Sequence, residues 1–132
     1  MATHASAIAG VQAMDDQHGI LVDSLNALGQ QLTGGNNATR LTQQVARLAE
    51  FINMHFGCEE SLLRRHGYPR LEEHRKAHQK LLSQIKLAVK RAESGEDLEL
   101  ERTLKSLRAQ YLDHVKRLDR EYGQWLNTRG VY

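Results

Sequence analysis

Seven histidines stand in this 132-residue chain, and five of them fall at spacings that suit metal coordination. His74 and His78 are four apart, so a helix projects both rings from one face. His55 and Glu59 stand in the same relation. His18 and His114 lie on separate segments, and Asp119 follows His114 by five residues. Imidazole and carboxylate together are a ligand set for transition metals. Five histidines supply five bonds, two carboxylates that each bridge two metals supply four, and one bridging oxygen supplies two. That fills eleven of the twelve positions of two octahedral metals and leaves one open for an exogenous molecule. Mixed imidazole and carboxylate ligation at high coordination number favours iron or manganese. Zinc prefers four ligands, and copper a softer or tetragonal set.

The segments that must position these residues are helical. Breakers at Thr33-Gly34-Gly35-Asn36-Asn37, Gly67-Tyr68-Pro69 and Ser94-Gly95-Glu96-Asp97 cut the chain into four pieces. Within each piece apolar residues recur at steps of three and four, the stripe of an amphipathic helix. The stripes are Met14, His18, Leu21, Leu25, Leu28 and Leu32; then Leu41, Val45, Leu48, Ile52, His55, Glu59 and Leu62. The third is Leu71, His74, His78, Leu81, Ile85, Ala88 and Ala92, and the fourth Leu100, Leu104, Leu107, Tyr111, His114, Leu118 and Trp125. Helices are expected at about 15–33, 38–66, 70–94 and 97–127, after an arm over about 1–13, all in one domain spanning 1–132. Asp15 or Asp16 and Asp97 suit helix N-termini as caps or first-turn acids. Short connections make neighbours antiparallel, so the expected fold is all-α, an up-down-up-down four-helix bundle. The candidate ligands therefore lie where core residues belong. Burying them without partners costs several kcal/mol, and a metal would satisfy them together. Asp119 is the exception in geometry. Five α-helical steps leave it roughly 140° from His114, so it needs a long reach or a local widening such as a π-bulge.

Composition bounds the remaining options. The net charge is +2, too balanced to argue for nucleic acid or a membrane surface. No apolar run reaches the roughly 20 residues of a membrane span, and the N-terminus lacks the pattern of a signal peptide. A single cysteine, Cys58, excludes an intrachain disulfide and suits a cytoplasmic location. Cys58 reads as an ordinary helix residue, and His66, at a helix end, as a partner of that terminus rather than a ligand. Met14 and Met54 read as packing.

Taken in order, the motifs resemble those of the bacterial hemerythrins, a family of non-haem diiron oxygen carriers. Asp16-Gln17-His18 resembles the family's first-helix element, and His55-Phe56-Gly57-Cys58-Glu59-Glu60 its H-F-x-x-E-E. Gly67-Tyr68-Pro69 matches the turn that follows. His74-x-x-x-His78 and His114-x4-Asp119 match the remaining two elements. The resemblance spans about residues 10–126. It implies that His74, His78 and His114 hold one iron and that His18 and His55 hold the other, which keeps the open position. Glu59 and Asp119 would bridge the pair. It implies reversible dioxygen binding, with small anions such as azide competing for the same position. Leu21, Phe56, Tyr111 and Val115 would line the oxygen pocket. The chain departs from the family in two places. Its only tryptophan is Trp125 rather than one in the arm, and Tyr111 stands where an apolar residue is usual.

The leading expectation is thus an oxygen carrier, store or delivery protein acting as a monomer, and not an enzyme. Two alternatives stay open: an oxygen or redox sensory module, and a diiron peroxidase or nitric oxide scavenger. The lack of an output domain favours a stand-alone role.

Overall fold

Helix ends are set by the breakers. The computed structural model describes residues 8–34 and 38–132, so His4 and the Gly35–Asn37 part of the first break lie outside it. Four long helices follow one another: α1 (Gln12–Gly34), α2 (Ala38–Arg65), α3 (Leu71–Glu93) and α4 (Asp97–His114). A π-helical turn, Val115–Asp119, then leads directly into α5 (Arg120–Asn127). No strand occurs among the described residues. α1 packs on α2 and α4, and α3 on α2 and α4, as in an antiparallel four-helix bundle.

The ends of α2 and α3 use the same device. Gly67 and Gly95 adopt φ of 71° and 72°, a left-handed conformation that glycine takes without steric cost. The amide of Tyr68 then donates to the Leu63 carbonyl, and that of Gly67 to Arg64. After α3, Glu96 donates to Arg91 and Gly95 to Ala92. These paired bonds satisfy carbonyls that a helix end would otherwise orphan. Past the first turn, the Tyr68 hydroxyl donates to Glu121 Oε1 at 3.1 Å, and Arg70 pairs with Glu73 and Glu121. The α2–α3 connection is thereby tied to α5.

Packing divides the interior into two apolar clusters. The larger is built on Leu25, Val45, Ile52, Ile85 and Leu104, and also contains Leu21, Phe56, Tyr111 and Val115. The smaller gathers Ala9, Val11, Met14, Leu63, Tyr68, Tyr122 and Leu126. On each strut of the bundle at least one buried polar residue falls between the two along the chain. His18 lies between Met14 and Leu21, and Glu59 between Phe56 and Leu63. His74 and His78 lie between Tyr68 and Leu81, and Asp119 between Val115 and Tyr122.

Several stripe assignments change, Leu32 and Leu71 being half-buried at the stripe ends. Leu118 and Trp125 were expected in the core, yet both are only half-buried, and Tyr122 and Leu126 take the interior positions. The π-turn causes this. It adds one residue to the turn, so every side chain after it is displaced by one position from the α-helical rhythm. In α2, Leu63 rather than Leu62 is fully buried, four residues after Glu59. α1 begins at Gln12, earlier than the acids that were expected to start it, and Asp15 lies in its first turn.

Candidate metal centre

Each helix brings its polar residues to the same level of the bundle. His18, His55, Glu59, His78 and Asp119 are fully enclosed, and His74 and His114 nearly so. Asp119 reaches this level through the π-turn, which places residues five apart on one face. The long-reach alternative is not needed.

The carboxylate oxygens divide their neighbours into two sets. Glu59 Oε1 faces His78 Nε2 at 3.1 Å and His74 Nε2 at 3.5 Å. Its other oxygen, Oε2, faces His18 Nε2 at 2.9 Å and His55 Nε2 at 3.2 Å. Asp119 repeats the division. Oδ1 lies 3.0 Å from both His74 Nε2 and His114 Nε2, and Oδ2 lies 3.2 Å from His18 Nε2. One face therefore collects Glu59, His74, His78, His114 and Asp119, whose ligand atoms lie within 4.8 Å of one another. The other collects His18, His55 and Glu59 within the same distance, with Asp119 Oδ2 beside His18. His66, only half-buried at the end of α2, belongs to neither group.

Two of these contacts, those of His18 Nε2 and His78 Nε2 with Glu59, are hydrogen bonds; the others are not. The Nε2 atoms of His55, His74 and His114 and both Asp119 oxygens are buried and lack a hydrogen-bond partner among the described residues. Nitrogens and oxygens 3 Å apart but out of hydrogen-bond alignment are aimed at a shared point rather than at each other. Orphaned buried polar atoms cost free energy, and a cation at that point would satisfy several at once. The donor set, imidazole with carboxylate, fits a divalent transition metal.

The outer ring nitrogens of three histidines are held. His18 Nδ1 donates to Asp15 Oδ1 at 3.2 Å. His55 Nδ1 donates to Gln17 Oε1 at 2.7 Å, and His78 Nδ1 to Glu60 Oε2 at 2.7 Å. Placing the proton on Nδ1 leaves Nε2 free to ligate, the usual outer support of a metal-binding histidine. Tyr122, fully buried, donates its hydroxyl to Glu59 Oε2 at 2.7 Å. Asp15, Gln17, Glu60 and Tyr122 escaped sequence reasoning as site residues. Tyr122 alone had a usable signal, since it lies three residues past Asp119.

Electrostatics express the same crowding. Burial acts to lower the His18 pKa, but the adjacent carboxylates of Asp119, Asp15 and Glu59 outweigh it and push the ring up to about 12. His74 is likewise opposed by burial and raised to about 9 by Asp119 and Glu59. Burial works to raise Glu59, yet the neighbouring imidazoles hold it well below the usual carboxylate range. Asp119 is also lowered, with burial and Glu59 opposing and His114 and His18 prevailing. Without metal, protons thus hold the carboxylates and imidazoles together.

The expected pocket residues Leu21, Phe56, Tyr111 and Val115 are all buried. All four belong to the larger apolar cluster. The Phe56 ring stacks on His78, centroids 3.8 Å apart. It also lies 5.7 Å from the His55 ring, and Tyr111 sets its ring edge-on to His18 at 6.1 Å and His55 at 6.5 Å. Its hydroxyl is enclosed and has no hydrogen-bond partner among the described residues.

Comparison with known proteins agrees with this geometry. A family model described as the hemerythrin HHE cation binding domain matches residues 9–126. The chain is 28% identical over 114 residues to a bacteriohemerythrin of Methylococcus capsulatus, covering 86% of each chain. It is 29% identical over 114 residues to a bacteriohemerythrin of Pseudomonas aeruginosa, covering 86% of this chain and 72% of the relative. Its fold is similar to the crystal structure of a wild-type hemerythrin, with a TM-score of 0.83, 27% identity, and 94% of this chain and 95% of that one covered. No helix among the described residues is long and apolar enough to cross a membrane.

Proposed function

The chain belongs to the hemerythrin HHE cation binding family, and from that premise we propose that its buried cluster holds two non-haem irons and binds dioxygen reversibly. The observation that carries this reading is the division of oxygens. Glu59 and Asp119 each turn one oxygen to one set of imidazoles and the other oxygen to the second set. Two carboxylates divided in this way would suit bridging between two metals.

His74, His78 and His114 would hold one iron, and His18 and His55 the other. With both bridges counted, the first would have five protein donors and the second four, so the exogenous position would fall beside His18 and His55. Ferrous iron at such a site supplies the electrons that make dioxygen binding possible. The protein's own part is positioning. Asp15, Gln17 and Glu60 fix three rings, and Tyr122 fixes Glu59. Leu21, Phe56 and Val115 exclude water from the layer above. Azide and similar small anions would compete for the position that takes oxygen. A monomer working in the cytoplasm as carrier, store or delivery protein completes the reading.

A second reading has one observation in its favour. The Tyr111 hydroxyl is a proton donor on the His18 and His55 side, which would suit an oxygen or redox sensor, or a diiron peroxidase or nitric oxide scavenger.

Elemental analysis of protein expressed with iron tests the site. Two irons per chain are expected, and a single zinc or no metal would contradict the ligand assignment.

A further inference from the structure

We propose that Asp15 is a positioning residue that couples the seating of the segment Ile8–Val11 to His18, so that arm docking and metal at His18 strengthen each other. The proposal rests on the reading of His18 as a ligand. Asp15 serves three groups with two oxygens. Oδ1 accepts from the Ala9 amide at 2.6 Å and from His18 Nδ1 at 3.2 Å. Oδ2 accepts from the Gly10 amide at 3.1 Å. A first-turn acid reaching back to amides before its helix is an ordinary N-terminal device. The third group is not ordinary, because it is a fully buried imidazole aimed at the centre of the bundle.

The arm itself is locked on its far side. Arg120 Nε donates to the Ile8 carbonyl at 3.0 Å, and Asn127 Nδ2 to that of Gly10 at 3.1 Å. Ala9 and Val11 are buried in the smaller apolar cluster with Met14, Tyr122 and Leu126. Gly123 makes the approach possible. A Cβ there would lie 1.8 Å from the Ala9 carbonyl oxygen, which no side chain permits. The arm is therefore held between α5 and Asp15. If it lifts away, Asp15 loses two donors and turns toward water, and the His18 ring loses the acceptor on Nδ1. A carboxylate on the outer nitrogen makes a histidine a better-oriented and more basic ligand. Conversely, metal on Nε2 fixes the ring and aims Nδ1–H at Asp15. By linkage each event favours the other by the same factor.

The test uses the iron-loaded and metal-free full chain. Hydrogen exchange of residues 8–12, followed by mass spectrometry, should be slower with iron by about tenfold, within the usual range of such couplings. Asp15→Asn should abolish that iron-dependent slowing. Gly123→Ala, which displaces the arm without touching α1, should speed the loss of one of the two irons to a chelator by a similar factor. Asn127→Ala, a milder loosening of the same arm, should do so to a lesser degree. The Asp15→Asn, Gly123→Ala double variant should lose iron no faster than the faster single variant. Equal loss of both irons from the arm variants, or iron-dependent slowing that survives in Asp15→Asn, would overturn the coupling. Two irons in the wild-type chain with no change in exchange would overturn the coupling alone. A wild-type chain that binds no iron would overturn the ligand reading with it.

Discussion

Replacing Tyr111 by phenylalanine removes one oxygen atom from an enclosed position and changes little else. The residue is 2% exposed, and its hydroxyl has no hydrogen-bond partner among the described residues. A buried hydroxyl left without a partner costs about 1–3 kcal/mol. At the low end of that range, Tyr111→Phe should stabilise the metal-free protein by about 1 kcal/mol, or about 4 °C in melting temperature for a domain of this size. In the iron-loaded protein the same hydroxyl borders the His18 and His55 side. Burial, reinforced by the charges of Glu59 and Asp119, keeps the phenol protonated well above its ordinary range. A donor beside bound oxygen helps it leave as a protonated, reduced species, which strands the irons as ferric. One hydrogen bond of about 0.5–1.5 kcal/mol corresponds to about two- to tenfold in rate. Tyr111→Phe should therefore slow autoxidation by that factor. The assay is the decay of the visible band of the oxygenated protein in air, at matched iron content. An unchanged rate together with an unchanged melting temperature would refute the reasoning and leave Tyr111 as packing alone. Faster decay in the variant would reverse the sign, with the phenol protecting bound oxygen.

Other consequences are as specific. His74→Ala should lose at least one iron while His66→Ala keeps both; equal losses, by elemental analysis, would void the ligand assignment. Tyr122→Phe should retain iron but leave Glu59 Oε2 without its buried donor, lowering thermal stability by about 1–3 kcal/mol; an unchanged melting curve would count against that bond. The metal-free protein should lose stability as pH rises. His74 is raised from 6.5 to about 9, so its contribution is full below about 6.5 and gone above about 9. Thermal melts across that window should show the fall without iron and not with it. Deleting Lys116, an exposed residue of the π-turn, should convert the turn to α-helix while keeping Asp119 and Tyr122 on the inner face. Iron content should survive the deletion, and its loss would contradict the register argument.

What was legible in the sequence follows from what is local. Steps of three and four revealed the helices, and Gly67, Pro69 and Gly95 marked their ends, because capping is decided within a few residues. The ligand candidates stood out as polar residues on apolar stripes. Leu118 and Trp125 were misplaced because an α-helical period was carried through a π-turn, whose one-residue shift no stripe pattern records. The same shift hid Tyr122. Asp15, Gln17 and Glu60 were hidden for a different reason. They sit beside the stripes at positions normally wet, and their roles depend on which residue another helix brings opposite. Gln17 meets His55 across 38 residues of chain, and Tyr122 meets Glu59 across 63.

Reversible oxygen binding is tested most directly by exposing the anaerobic, iron-reduced protein to air while its visible spectrum is followed. A band should appear on exposure, persist, and disappear when oxygen is removed, with two irons per chain throughout. One-way conversion to a ferric spectrum that oxygen removal does not reverse would contradict oxygen carriage.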